Sequence, residues 1–404
     1  MFMKIYVKTS SLLSAVKKVN LGLRNDEGII VTVESNKDTS YILTLRVDSE
    51  LQVYTQIPVT VEPEGSVEVM LPCMFVTAVN ALSKTGDDIM LNFGEKTVDI
   101  VCKTAKIPVP YKSTQIPQLT EMEKPIATVK FESAKLKSAL NSTKSFIISE
   151  KGNNNWLNCL GLRYQNGGIR FIGANGGSYA FIDIIPLSQN GMEKIPALAI
   201  PVAPFVRSLS LIDGSDCTIY VLGGEASEGV MPKKIMLQEG CSMYIMSLIT
   251  VAYGNIDSLA AELIPTVRFR ASVEKSKLIE AINIASVTNK THFCLETTKS
   301  GLRLADDSGA YADIDCDIVG EMKKSLFNPS MVLSGLTSIQ SEKIQILTNA
   351  EAAMRYSDQI LFIISGGDEG SSSVYLPITS PSKEAAQAAE MKKKAEVQKS
   401  EAEE

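Results

Sequence analysis

Histidine is almost missing: His292 is the only one in 404 residues, and neither a carboxylate nor a cysteine cluster stands near it at ligand spacing. A Ser-His-Asp relay or a histidine-based metal centre therefore has little to work with, and His292 reads as a half-buried polar residue. Paired cysteines are missing too. Cys73, Cys102, Cys159, Cys217, Cys241, Cys294 and Cys316 are odd in number and form no C-x-x-C, which fits reduced thiols better than a disulfide framework or a zinc site. Long apolar runs are absent: "IPALAIPVAPFV" is broken by prolines and "CSMYIMSLITVAYG" is too short to span a bilayer. The opening "MFMKIYVKTSSLLSAVKK" lacks the continuous apolar centre of a signal peptide, so the chain reads as cytoplasmic. No P-loop occurs, and the glycines of "GANGGSYA" fit a turn better than a phosphate cradle. No pair of carboxylates stands out as acid and base. An enzyme is disfavoured, and no cofactor or metal is expected.

Hydrophobic residues make up 45% and charged residues 21% of the chain, a composition that folds, and the length predicts two or three domains. The net charge of −6 argues against a surface coated in nucleic-acid-binding charge, while leaving room for a local basic face. The informative feature is a repeat. "MKIYVKTSSLLSAVKKV", "ATVKFESAKLKSALNST" and "VRFRASVEKSKLIEAIN" each read as a strand followed by a helix. Val7, Phe131 and Val273 end the strands; Leu12, Leu136 and Leu278, then Ala15, Ala139 and Ala281, mark the inner stripe of an amphipathic helix. A second shared element follows in "LPCMFVTAVNAL", "IPVAPFVRSLSLI" and "NPSMVLSGLTSI". Pro72, Pro201 and Pro329 stand where a helix would begin, with Val76, Val206 and Leu333 and then Val79, Leu209 and Leu336 as the predicted inner positions at i, i+3.

Short alternating runs such as "YILTLRV", "LQVYTQI" and "GLRYQNGGIRFIG" read as antiparallel strands joined by glycine and asparagine turns. The expected fold is α+β: three similar domains, each an antiparallel sheet with two helices on one face. The predicted divisions are 1–122, 123–262 and 263–380, with a charged tail at 381–404 that has almost no apolar stripe to pack.

Three units in this order, with the final "SSSVYLPIT", resemble the bacterial sliding DNA clamp, the beta subunit of DNA polymerase III, over about residues 3 to 380. The resemblance implies a non-enzymatic ring of two chains joined head to tail around duplex DNA, tethering polymerase and clamp loader through linear peptides. It implies that helix faces carrying Lys17, Lys18, Lys137, Lys144 and Arg207 line a channel and meet phosphates without reading bases. Arg24, Lys151 and Trp156 match family positions that touch DNA; a core anchor is the alternative for Trp156, the only tryptophan, and is less favoured because "GNNN" before it implies an exposed loop.

The resemblance also assigns a peptide pocket to Leu157, Asn175, Gly177, Ser178, Tyr179, Ala180, Gly254, Ser258, Leu259, Ala353, Val374, Leu376, Pro377 and Ile378. Such apolar walls with a polar rim suit a short peptide with one or two apolar anchors. The family's usual Gly-His-Arg-Leu run is replaced by Gly177, Ser178, Tyr179 and Ala180, and its Phe-Pro-Asp-Tyr-Arg-Arg run by Tyr253 to Ser258. Two basic rim residues are thereby lost, which implies a changed peptide preference and suits a clamp of a phage or mobile element. Ile107, Val109 and Val287 match the apolar contacts of ring closure. The tail is expected to be solvated, with a sharper alternative that it folds back on the pocket. A non-enzymatic β-rich binding or structural protein is the competing reading.

Overall fold

The computed structural model describes the chain apart from residues 1–2, 25–26, 36–39, 86–87, 104, 112–115, 117–122, 148–155, 176–178, 224–231, 251–252, 255–266, 321, 323–324, 340, 349–359, 366–371 and 379–404, and gives the backbone alone for the strands at 360–365 and 372–378. Its contacts gather the chain into two units, residues 1–137 with 186–250 and residues 138–185 with 251–404. Each takes part of the middle repeat. The predicted boundaries near 122 and 262, and the tail, lie outside the described residues.

Six α-helices occur among the described residues: α1 Thr9–Asn20, α2 Met74–Leu82, α3 Ser133–Lys144, α4 Val202–Ser210, α5 Lys275–Ala285 and α6 Pro329–Ser338. They are the six expected from the triplicated pattern. Leu12 and Ala15 in α1, Leu136 and Ala139 in α3, and Leu278 and Ala281 in α5 are all buried, so the predicted stripe of the first helix of each repeat holds. In the second helix of each repeat the later predicted positions Val79, Leu209 and Leu336 are buried, as is Val76, while the earlier predicted position is displaced by one residue in α4 and α6. Phe75, Phe205 and Val332 enter the core, paired at i, i+4 with Val79, Leu209 and Leu336, while Val206 and Leu333 are only partly buried. The i, i+4 row carries the bulkier apolar residue in α2 and α4, and burying it removes more surface from water. The prolines differ in place: Pro329 is the first residue of α6, Pro201 caps α4, and the Pro72 carbonyl accepts from the Phe75 amide just ahead of α2.

In the first unit one antiparallel sheet runs Ser188–Asn190, Pro125–Glu132, Asp216–Leu222, Lys234–Glu239, Ser242–Ser247, Leu51–Glu62, Met3–Val7, Ile89–Phe93, Thr97–Cys102 and Ala105–Pro110. The strand from the middle repeat thus pairs directly with one from the first, Ser242 against Thr55 and Met246 against Leu51. A buried hydroxyl pair, Thr55 Oγ1 to Ser242 Oγ at 2.9 Å, marks the seam.

In the second unit the order is Cys159–Gln165, Gly168–Ala174, Tyr179–Ile184, Ser372–Ile378, Ile360–Ser365, Lys343–Thr348, Phe269–Glu274 and Asp317–Val319. A smaller sheet of Tyr311–Asp315, Gly301–Ala305, Phe293–Thr297 and Ser325–Phe327 closes this unit's core around Phe293, Leu302 and Ile314. The Asn-Gly signal in "YQNGGI" is used as read: Asn166 and Gly167 take φ of 51° and 84°, the left-handed pair that a tight hairpin requires. That turn sets the register that carries the next strand to the candidate pocket.

Candidate functional site

The strand Tyr179–Ile184 lies between Gly168–Ala174 and Ser372–Ile378. Tyr179 pairs with Ala174 and Tyr375, and Ala180 with Gly173 and Val374. The register therefore brings Tyr179, Ala180 and Val374 together, residues almost two hundred positions apart in the chain. Leu376, Pro377 and Ile378 continue along the same strand, paired with Phe362, Leu361 and Ile360.

Neighbouring residues of a strand face opposite ways, and this divides the predicted wall. A side chain at Gly173 would collide with the Thr143 carbonyl of α3, so this position faces the helix. Ala180, its cross-strand partner, shares that face and lies in the core with Phe146, Leu278 and Leu336. Ala180 is thus corrected from pocket wall to core residue. Tyr179 is on the opposite face, its ring 5.4 Å from that of Phe181, and Arg170 lies over Phe181 at 4.9 Å while donating to Asp183.

A second part of the site is built around Tyr253. Its ring covers Gly161, where a Cβ would come within 2.7 Å of it, and its hydroxyl donates to the Ile172 carbonyl at 3.2 Å. Burial raises the Tyr253 pKa well above that of a free phenol and pushes the neighbouring Cys159 thiol up to about 11. Trp156 meets Tyr253 edge to face at 5.0 Å and presses on Gly254, where a Cβ would stand 2.7 Å from the indole. Trp156 is therefore a half-buried packing residue on the Tyr253–Gly254 segment, as the core-anchor alternative had it in part. The sequence held that signal in Gly254, since only glycine admits the indole so closely. Leu157 is partly buried beside Trp156 and Asn175 is exposed at the strand end. Gly177, Ser178, Ser258, Leu259, Ala353 and Lys151 lie outside the described residues.

The basic candidates fall into two groups. Lys17 on α1 and Lys144 on α3 are exposed. Arg207 is exposed and its guanidinium reaches the Leu21 carbonyl at 3.4 Å, and Arg24 is exposed in an ion pair with Glu50. Lys18 is instead drawn inward, 3.2 Å from Glu239 and 3.1 Å from Ser242 Oγ, and Lys137 donates to the Ile212 carbonyl. These two hold the first unit together, so their charge is partly spent within the fold. Lys18 also lines an open, hydroxyl-rich cleft of about 590 Å³ with Ser10, Ser14, Thr55 and Ser242.

Of the ring-closure candidates, Val287 is 69% exposed and Ile107 is partly buried. Val109 is fully buried, because it alternates inward toward the core; it is not a surface contact. Exposed Ile284 and Tyr311 were not singled out from the sequence. The fold also gives His292 a carboxylate the sequence did not suggest: Nε2 lies 2.8 Å from Asp307 Oδ2, with Thr291 Oγ1 at 3.0 Å from Nδ1. No group of three or more His, Cys, Asp or Glu suited to a metal occurs among the described residues, and no described helix is long and apolar enough to cross a membrane.

Paired helices repeated along antiparallel sheets, with strands of successive repeats joined edge to edge, define the DNA sliding-clamp fold. Solved structures that share it include beta subunits of bacterial DNA polymerase III. The Pseudomonas aeruginosa clamp, solved bound to griselimycin, matches with a TM-score of 0.75 at 13% identity over 94% of this chain and 100% of that one. The C. crescentus beta sliding clamp gives 0.74 at 15% identity over 94% and 100%, and the Bacillus subtilis sliding clamp 0.73 at 15% over 94% and 99%. Sequence comparison finds neither a matching family model nor a matching curated protein.

Proposed function

We propose that the chain is a processivity factor of the sliding-clamp type. Two copies join head to tail, each with three similar domains at 1–122, 123–262 and 263–380 and a charged tail at 381–404. The ring encircles duplex DNA without reading its sequence and tethers a DNA polymerase and other replication proteins by short peptides. Its role is not catalytic. The observation that carries this reading is the fold match along nearly the whole chain and nearly the whole of each clamp.

Lys17, Lys144, Arg24 and Arg207 supply positive charge on or next to the helices in a chain of net charge −6. A few cations facing phosphates bind by counterion release and leave the protein free to slide. The peptide site lies where the strand Gly168–Ala174, followed by exposed Asn175, and the strand Ser372–Ile378 flank Tyr179, next to the Trp156–Tyr253–Gly254 cluster. Lacking the family's basic rim, it favours aromatic or aliphatic anchors over acidic flanks.

Retention on circular DNA tests the reading. Protein loaded on nicked circular duplex by a compatible loader is expected to stay through gel filtration and to be lost once the circle is linearised. Equal loss from both forms, with the loader shown to be active on this protein, would remove the ring and leave a β-rich binding protein.

A further inference from the structure

The single histidine sits where two loops of the second unit meet, and both of its ring nitrogens have partners. His292 ends the loop 286–292 that follows α5. The facing turn at 306–309 joins the strands Gly301–Ala305 and Tyr311–Asp315. Nδ1 lies 3.0 Å from Thr291 Oγ1, whose own hydrogen goes to Asn289 Oδ1 at 2.6 Å. The Thr291 oxygen is therefore an acceptor toward the ring, and Nδ1 carries a hydrogen. The Thr291 amide donates to the same Asn289 Oδ1 at 3.0 Å, which leaves the Asn289 Nδ2, a donor, turned to Nε2 at 3.2 Å. Asp307 Oδ2, an acceptor, meets that nitrogen at 2.8 Å.

Nε2 thus has two neighbours of opposite demand. Protonated, it donates to Asp307 and closes a charge-assisted bond between the loops. Without its proton it accepts from Asn289 within its own loop, and the contact with Asp307 has no hydrogen. The other charges nearby are fixed. Asp306 accepts from the Thr288 hydroxyl and from the hydroxyl and amide of Ser308 and the amide of Ala310, and these bonds hold its carboxyl well down, at about 2. Asp313, on the strand packed against α5, is engaged by Arg303, and Lys290 is exposed in the loop itself. Among these residue types histidine is the one whose charge changes between about pH 5 and 8.

We propose that His292 is a proton-operated latch. Charged, it fastens the loop 286–292 to the turn 306–309 and holds the exposed apolar residues Ile284 and Val287 in one arrangement. Neutral, it lets the loop go, so that joining of two copies through this apolar face weakens as the pH rises. The latch stands on the contacts of His292, and its effect on joining rests on the ring reading above. The direction follows from the cation, which only the protonated ring supplies. Asp307 is largely exposed, and an exposed ion pair shifts an equilibrium by about two- to fivefold.

The test uses the full chain, in which one histidine gives one pair of ring nitrogen signals. Nitrogen-15 spectra are expected to show a neutral ring with its hydrogen on Nδ1 at about pH 8 and both nitrogens protonated at about pH 6. A neutral ring with its hydrogen on Nε2 would overturn the proposal, since that form keeps the bond to Asp307. The Ser286 and Val287 amides, which donate to the Ile282 and Ile284 carbonyls at the start of the loop, report its opening. Their hydrogen exchange, corrected for intrinsic rate, is expected to be about two- to fivefold slower at the lower pH, with self-association in sedimentation tighter by a similar factor.

Both differences should vanish in Asp307→Asn, which keeps the histidine and removes only the charge it meets, and in His292→Gln. Differences that persist in either variant, or exchange that ignores pH in the unchanged chain, would overturn the latch. Equal self-association at the two pH values, with the exchange difference present, would overturn its link to joining, while retention on circular DNA decides the ring reading separately.

Discussion

Gly254 has no side chain, and that absence places the only tryptophan of the protein. Because a Cβ there would stand 2.7 Å from the Trp156 indole, Gly254→Ala must displace the ring or the segment that carries it. Overpacking of this kind costs about 1–3 kcal/mol. The expected outcome is a shift in tryptophan emission, a loss of stability in that range in urea, and weaker binding of a polymerase-derived peptide. An unchanged emission spectrum would mean that Trp156 does not rest on Gly254. The sequence marked Trp156 and Gly254 separately, one by rarity and one by resemblance. It could not show their contact, because the pairing depends on Tyr253 folding back over Gly161 from almost a hundred residues away.

At the scale of elements, the second helix of the middle and last repeats carries the sharpest difference between reading and structure. Phe205 is fully buried and Val206 only partly so. Phe205→Ala should therefore cost about 3–5 kcal/mol, and Val206→Ala about 1 kcal/mol or less, measured by urea denaturation. The reverse order would restore the predicted register. All six helices, the hairpin at Asn166–Gly167 and the strand alternation were legible because local periodicity and turn chemistry decide them. The helix facing was harder to read, since adjacent apolar residues such as Phe75 and Val76 serve either stripe and only the opposing sheet chooses. For the same reason Tyr179 and Ala180 seemed one wall in the sequence and occupy two faces of the fold. Val109 entered the interface on resemblance, and alternation within its strand turns it inward.

For the whole molecule, a modest basic set on an acidic chain predicts weak direct DNA binding with strong salt dependence. Affinity for a short linear duplex should fall steeply between about 50 and 200 mM salt. Lys17→Glu with Lys144→Glu should weaken it further and flatten the salt slope, without changing sedimentation of the free protein. A duplex affinity indifferent to both changes would place the DNA surface elsewhere. Lys18 and Lys137 are poor choices for this test, since their partners Glu239 and the Ile212 carbonyl belong to the fold itself.

On the proposed ring reading, exposed Val287 belongs to a joint between unlike surfaces of two copies, and that joint bears on what a population of these chains can become. A joint between unlike surfaces has no built-in stopping point: each added copy presents a fresh edge of the kind just consumed. Whether growth stops at two copies depends only on the turn taken at each step. If that turn fails to bring the ends together, the same joint yields an open filament whose length rises with concentration.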